Sequence, residues 1–453
     1  MVDTTRTLAL AYFPRKFCGE AAQFELGLHR LAPMAPSGWG VVWVELDHDD
    51  QDANVRAVRE AGADLLLVHA NRTQMVETVA FVDAMTEQSP ELALVLSGWV
   101  GKPAYVDECF AISAGLRHPV FAVACGEIEA IIPPMLERLG DARLDADSLV
   151  GHRGIVAWDA QNGTWTGDDE FVFVEDMNTL PDASIDHISK EWRDAHAGWV
   201  ELTRGCRYRC AFCFASCYQH ARMRSFSPER IRNSIRLVAE KGVKVMGLYT
   251  ASVSLDIDLM STVVETFREL SLSDVTVVGA LGPIDKKFIP QDKLERLSRL
   301  DWNVMTVGLQ SITPEATRLA RRPDDKDTFA RTMEYLSGFV TPEVELILGL
   351  PGDTPAGFRQ TIDFAFSLPV NVTVQTFRVD PWSSYSGQRE LHGLKADFTD
   401  VARVYESKAF PGDQIRQSAS WLRDVARSSR ERRAHHVALD GEHLNSRDAS
   451  ASR

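Results

Sequence analysis

The sequence predicts two α/β units in tandem: a doubly wound parallel sheet, then an open, partial (β/α)6 barrel. Three observations predict this. Strand-length apolar runs alternate with helix-length stretches over residues 7–140, and the alternation restarts at Trp199. Between them, residues 141–197 have a different texture, with clusters of Gly, Asp and Asn. At 453 residues the chain also exceeds the roughly 250–300 residues at which single cores stop growing.

In the first unit, residues 1–140, apolar runs at Leu8–Phe13, Val41–Leu46, Asp64–Val68, Leu92–Leu96 and Val120–Ala124 predict five strands. Thr73–Glu87 and Ile128–Leu139 are helix-length stretches between and after them. Sheets of this kind take ligands at the carboxyl ends of their strands, where Asp47, His69, Thr73, Ser97, Gly98, Gly126 and Glu127 fall. Residues 141–197 read as a connector with short β segments at Ile155–Trp158 and Phe171–Val174, stopped by Thr-Leu-Pro-Asp at 179–182.

The second unit spans residues 198–380. Its strands are predicted at Trp199–Thr203, Val243–Tyr249, Val275–Ala280, Val304–Leu309, Val344–Leu348 and Val372–Val379. Helices fit at Pro228–Lys241, Asp258–Leu270, Lys326–Phe339 and Pro355–Ser367. Six such units make a barrel whose site lies in the loops at the strand carboxyl ends. Residues 381–453 read as a helical extension, with a helix near Asp413–Ala426 and a solvated charged face at Arg427–Arg433. From about residue 436 the apolar content is too low to offset ordering entropy, so a disordered tail is expected.

Bulk composition narrows the function classes. Hydrophobic residues make up 45%, enough for packed cores, and no run approaches the ~20 apolar residues of a membrane span. The formal charge of −15 argues against nonspecific binding to a phosphate backbone. The start Met-Val-Asp-Thr-Thr-Arg lacks a basic region followed by an apolar one, which leaves a cytoplasmic protein as the default.

The chemistry concentrates in Trp-Val-Glu-Leu-Thr-Arg-Gly-Cys-Arg-Tyr-Arg-Cys-Ala-Phe-Cys-Phe, directly after the first strand of the second unit. Cys206, Cys210 and Cys213 are spaced C-x3-C-x2-C, so their thiolates can reach three irons of one cubane and leave the fourth without a protein ligand. A structural zinc site is the alternative. It needs a fourth ligand, for which Cys217 and His220 are near, but a helix follows where a second knuckle is wanted. A disulfide fits poorly with a signal-free chain. Cys217 also reads as an inert buried thiol, and Cys18, Cys109 and Cys125 are scattered and carry no assigned chemistry.

The cysteine run resembles the signature of the radical S-adenosylmethionine (SAM) family. Three further segments resemble the family in the expected order: Ala-Arg-Met-Arg-Ser-Phe-Ser-Pro-Glu-Arg-Ile at 221–231, Thr-Val-Gly-Leu-Gln-Ser-Ile-Thr-Pro-Glu at 306–315, and Leu-Gly-Leu-Pro-Gly-Asp-Thr at 348–354. The resemblance implies a [4Fe–4S] cluster whose open iron binds SAM, which is cleaved to a 5′-deoxyadenosyl radical. It implies an aromatic over the adenine at Phe212, and hydrogen bonds to SAM from Gln310 and Ser311. Tyr249, Thr250 and Ser252 stand where the family often has Gly-Gly-Glu, and Arg321 or Arg322 where an arginine often pairs the SAM carboxylate; Arg322 is the residue chosen.

The first unit resembles the Rossmann-like cobalamin-binding half of the B12-dependent radical SAM group. The carrying segments are Leu-Ser-Gly-Trp-Val-Gly-Lys-Pro at 96–103, Val-Phe-Ala-Val-Ala-Cys-Gly-Glu-Ile-Glu-Ala-Ile at 120–131 and the linker at 176–182. Ser97 and Ile128 replace glycines of the group's pattern, and Phe13–Glu20 offers no histidine for cobalt, so cobalamin would bind base-off. A domain that has lost cobalamin is the alternative. With cobalamin, the resemblance implies methylation of an unactivated carbon of a natural product or peptide; without methylation, a rearrangement or cyclisation. It also implies a small-molecule or peptide substrate and an electron donor such as flavodoxin or ferredoxin, with no nucleic-acid or membrane partner.

Overall fold

A computed structural model describes residues 6–14, 22–71, 74–98, 101–110, 121–183, 194, 196–213, 215, 222–285, 294–398, 402–432 and 437–439. Its contacts divide the chain into Met1–Ala197 with Phe398–Val401, and Gly198–Asp397 with Ala402–Arg453.

The first unit is built on β1 (Arg6–Tyr12), β2 (Trp39–Glu45), β3 (Leu65–Ala70), β4 (Ala93–Gly98) and β5 (Phe121–Ala124). They lie in the order β2-β1-β3-β4-β5, all parallel. The apolar runs are continuous because both faces are covered. Leu8, Leu10, Leu65, Leu67, Val95 and Ala122 share one core with Leu28 and Leu31 of the helix Ala22–Met34 and with the helix Ile128–Leu139. The alternate residues Ala9, Ala11, Leu66, Val68, Leu94 and Val123 are equally buried on the opposite face. Ile128–Leu139 buries Ile128, Ile131, Ile132, Met135, Leu136 and Leu139, a spacing that gives one helical stripe.

The presumed connector belongs to this sheet. β6 (Ile155–Asp159) pairs antiparallel with β5, and β7 (Thr164–Gly167) pairs with β6. Trp158 faces Trp165 across the hairpin with ring centroids 5.3 Å apart. The Asp159 carboxylate accepts the N–H groups of Gln161 and Asn162 and so forms the turn. Phe171–Val174, expected as a strand, makes only the bridge Gly126–Val172.

The second unit follows the predicted barrel strands closely. After β8 (Ala197–Glu201) and the small pair β9 (Thr203–Arg204) and β10 (Arg224–Ser225) come β11 (Val245–Tyr249), β12 (Thr276–Leu281), β13 (Trp302–Gln310), β14 (Glu343–Leu348) and β15 (Asn371–Thr376). Helices start where sequence signals place them. Ser227, Asp325 and Thr354 cap Arg230, Thr328 and Gly357, with Pro228 and Pro355 in the first turns.

The end of the chain departs from expectation. β16 (Lys395–Asp397) and β17 (Arg403–Glu406) form a hairpin, and the last helix runs Gly412–Arg432. Val437–Leu439 then form β18, parallel to β15, within the stretch expected to lack structure. The sheet order is β18-β15-β14-β13-β12-β11-β8. Three residues, Val-Ala-Leu, suffice for a strand against a preformed edge, and a composition window that averages them with the polar tail misses them.

Candidate active site

β8 is buried throughout and leads into the cysteine loop. Its last residue, Glu201, receives two hydrogen bonds from Arg204, Nε to Oε1 at 2.6 Å and Nη2 to Oε2 at 3.2 Å. The side chains are 0% and 1% exposed, so the pair is a neutralised, fully buried fork. The Leu202 N–H donates to the Tyr249 carbonyl at 2.8 Å, tying the loop to β11. Gly205 then turns the chain with φ +83.

Cys206 and Cys210 are buried and Cys213 is half-buried, and none of the three is in a disulfide. The Cys213 N–H donates to the Cys210 carbonyl at 3.1 Å, so the loop curls back on itself. Between them, Ala211 is clamped on both sides. Its N–H donates to the Ala320 carbonyl at 2.8 Å, and its carbonyl accepts the Ser384 N–H at 2.9 Å. Burial pushes the Cys206 thiol up and the neighbouring Cys210 adds to it, while the Tyr208 N–H, Arg322 and Arg207 pull it down. Among the described residues, no three His, Cys, Asp or Glu side chains gather around one ion. Three cysteines on one curled loop are the donor set that three corners of a cubane take. Cys217 and His220, the other zinc candidates, lie outside the described residues, as does Cys18.

Arg322 lies against this loop. Its Nη1 donates to Cys210 Sγ at 3.9 Å, Nε to Asp324 and Nη2 to the Gly308 carbonyl. Its guanidinium sits 6.0 Å from the centroid of the Phe212 ring. The sequence singled out Arg322 for a SAM carboxylate; here it is engaged by Asp324 and the cysteine loop. Arg321 is exposed, with φ +53.

The polar residues at the other strand ends are largely bound to one another. Thr250 Oγ1 is 2.8 Å from Thr203 Oγ1. Ser252 Oγ accepts the Gly282 N–H at 3.0 Å and lies 2.7 Å from Ser254 Oγ. Gln310, at a bulge in β13, has φ +69, and its amide nitrogen would lie 2.7 Å from a Cβ added at Gly308. Ser311 donates to Asp353 Oδ2 at 3.0 Å and accepts the Thr313 N–H at 3.0 Å. Asp353, fully buried, also accepts the Thr313 hydroxyl at 2.7 Å and the Thr354 N–H at 2.8 Å. Burial pushes the Asp353 carboxyl up, against the pull of Thr313, Thr354 and Ser311.

In the first unit, the β1/β3 boundary is the switch point of the sheet order, the place where such sheets bind ligands. Asp47 accepts the Asp49 N–H at 2.8 Å and shapes the turn after β2. His69 is buried at the end of β3, opposite Ser97 in register. Gly98 has φ +91, and a Cβ there would come within 2.8 Å of the His69 ring. Ser97 Oγ donates to the Val68 carbonyl at 3.4 Å. Gly126 has φ +144, and a Cβ would run into the Val172 backbone. Glu127 Oε2 accepts the Val174 N–H at 2.7 Å. Ser97, Gly126 and Glu127 thus each make contacts within the first unit. Thr73 lies outside the described residues.

Residues 200–365 match the radical SAM superfamily. The chain carries a radical SAM domain. Over 177 residues it is 25% identical to a tRNA-2-methylthio-N(6)-dimethylallyladenosine synthase of Finegoldia magna, covering 37% of this chain and 38% of the relative. Over 351 residues it is 24% identical to the ribosomal protein uS12 methylthiotransferase RimO of Synechococcus elongatus, covering 74% and 66%. The chain thus spans about two fifths of the first of these relatives. Its fold matches that of the radical SAM methyltransferase TsrM from Kitasatospora setae, solved with cobalamin and a [4Fe–4S] cluster, with a TM-score of 0.70, 14% identity and coverage of 98% and 93%. A second TsrM structure, with tryptophan and a SAM analogue, gives a TM-score of 0.64 at 14% identity, covering 83% and 74%. The likeness to these structures is one of fold.

Sequence reading missed several residues of the contact-defined unit Gly198–Asp397. Glu201 and Arg204 carried a signal, two opposite charges in an apolar strand run three residues apart. Asp353 was legible only as the start of a helix. Asp324 and Ser384 gave none, because their contacts with Ile284 and Ala211 join distant loops.

Proposed function

We propose that the chain is a cobalamin-dependent radical SAM methyltransferase acting on an unactivated carbon of a natural product or peptide. The observation that carries this reading is the conjunction of the three-cysteine loop after β8 with a β2-β1-β3-β4-β5 sheet in the same chain. When bound, the cluster, SAM and cobalamin would supply one-electron chemistry and a transferable methyl group. Cys206, Cys210 and Cys213 would hold the cluster by three corners. Phe212 on that loop and Gln310 at the end of β13 are side chains we assign to SAM, together with Tyr249 ending β11, Thr250 after it and Arg321, the alternative to Arg322 for the carboxylate. Asp47, His69 and Gly98 are the first-unit residues we assign to cobalamin, which would bind base-off, since Phe13–Glu20 contains no histidine.

The partners would be a small substrate and a one-electron donor such as flavodoxin or ferredoxin. The charge of −15 disfavours nucleic acid. No described helix is long and apolar enough to cross a membrane. We place the reaction in the cytoplasm.

A second reading, a radical SAM enzyme whose first unit has lost cobalamin, is favoured by the contacts that Ser97, Gly126 and Glu127 make within that unit. Anaerobic purification with cobalamin supplied, then metal and product analysis, separates the two. Bound iron and cobalt with S-adenosylhomocysteine plus 5′-deoxyadenosine support methylation. Iron without cobalt, with 5′-deoxyadenosine alone, supports the second reading. Protein that binds neither metal contradicts both, and a sulfur-bearing product would align the chain with its methylthiotransferase relatives.

A further inference from the structure

We infer that Arg322 is a positioning residue that sets the reduction potential of the cluster through Cys210; this rests on the proposed reading that Cys206, Cys210 and Cys213 hold a [4Fe–4S] cluster. The guanidinium is fixed on every side. Nη1 donates to Cys210 Sγ at 3.9 Å, Nε is paired with Asp324, Nη2 donates to the Gly308 carbonyl, and Phe212 lies beneath at 6.0 Å. The arginine side chain is 7% exposed and that of Asp324 4%, so little water screens either charge. Asp324 is itself held, its Oδ1 accepting the Ile284 N–H at 2.7 Å.

Room for this arrangement comes from two glycines. A Cβ at Gly308 would stand 3.0 Å from Arg322 Nη2, and one at Gly282 3.4 Å from it. The strand and the turn are thus shaped around the guanidinium. A donor and a positive charge at a ligating sulfur stabilise the electron-rich, reduced state of an iron–sulfur cluster and raise its potential. Asp324 offsets part of that charge, so the two residues act in opposite senses on one sulfur.

The test is an EPR-monitored redox titration of anaerobically reconstituted wild type, Arg322→Gln, Arg322→Lys and Asp324→Asn, with iron counted in each. Arg322→Gln is expected to keep its cluster and shift to a more negative potential, with Arg322→Lys between it and wild type. Asp324→Asn is expected to shift the other way. A purely structural role would change iron content without these opposite shifts. Should Arg322→Gln fail to hold iron, Arg322→Lys and Asp324→Asn decide. Iron-loaded variants with the wild-type potential overturn the inference alone, whereas wild type that assembles no cluster overturns the underlying reading.

Discussion

The hydroxyl of Ser311 donates to Asp353 Oδ2 at 3.0 Å, across 42 residues of chain. With the Thr313 hydroxyl on the other oxygen, one buried carboxylate locks the loop after β13 to the loop after β14. These are two of the segments that carry the family resemblance. Asp353→Ala strands three donors, each costing about 1–3 kcal/mol when buried without an acceptor. We expect a loss of roughly 3–5 kcal/mol, with Asp353→Asn milder. Denaturant unfolding measures it, and a loss under about 1 kcal/mol would remove the lock from the account.

The Glu201–Arg204 fork, 0% and 1% exposed, makes a different prediction. Removing either partner leaves an uncompensated buried charge, costing about 3–5 kcal/mol, whereas replacing both with apolar residues of similar volume is close to neutral. A double-mutant cycle with Glu201→Leu and Arg204→Met should therefore show strong coupling. Additive losses would contradict the pairing.

Gly126 is held at φ +144 against the Val172 backbone. Gly126→Ala should destabilise the first unit by about 2–3 kcal/mol through backbone strain and the clash. Proteolysis under native conditions should then cut within residues 121–183 first. Wild-type resistance there would mean that the Phe171–Val174 strap is not anchored by Gly126.

His152 supplies a pH dependence. Burial lowers its pKa, and Arg138 lowers it further, against a hydrogen bond with the Ser148 backbone. A depressed folded-state pKa means that the unfolded chain takes up the proton first. The associated stability is complete above about 6.5 and is lost as the pH falls below it. His152→Gln should flatten the fall in melting temperature between roughly pH 7 and pH 5. An unchanged slope would show that other groups govern it.

The sequence made the sheets legible because buried parallel strands are nearly continuous apolar runs, as in Leu65–Ala70 and Ala93–Gly98. It located the cysteine loop because ligand spacing is local. What escaped was contact between distant segments. The pairing of β6 with β5 joins the supposed connector to the first sheet, Val437–Leu439 find an edge only because β15 exists, and Ser384 reaches Ala211 from far along the chain. Arg322 illustrates the limit. Its position in the sequence was informative, but its direction was decided by Asp324 and Gly308, which periodicity does not reveal.

The most direct test of the central claim is the iron content and EPR spectrum, with and without SAM, of wild type beside Cys206→Ala, Cys210→Ala and Cys213→Ala, each reconstituted anaerobically. The account predicts a cubane signal in wild type that SAM perturbs, and its loss in every variant. Variants that retain wild-type iron and the SAM-sensitive signal would contradict it.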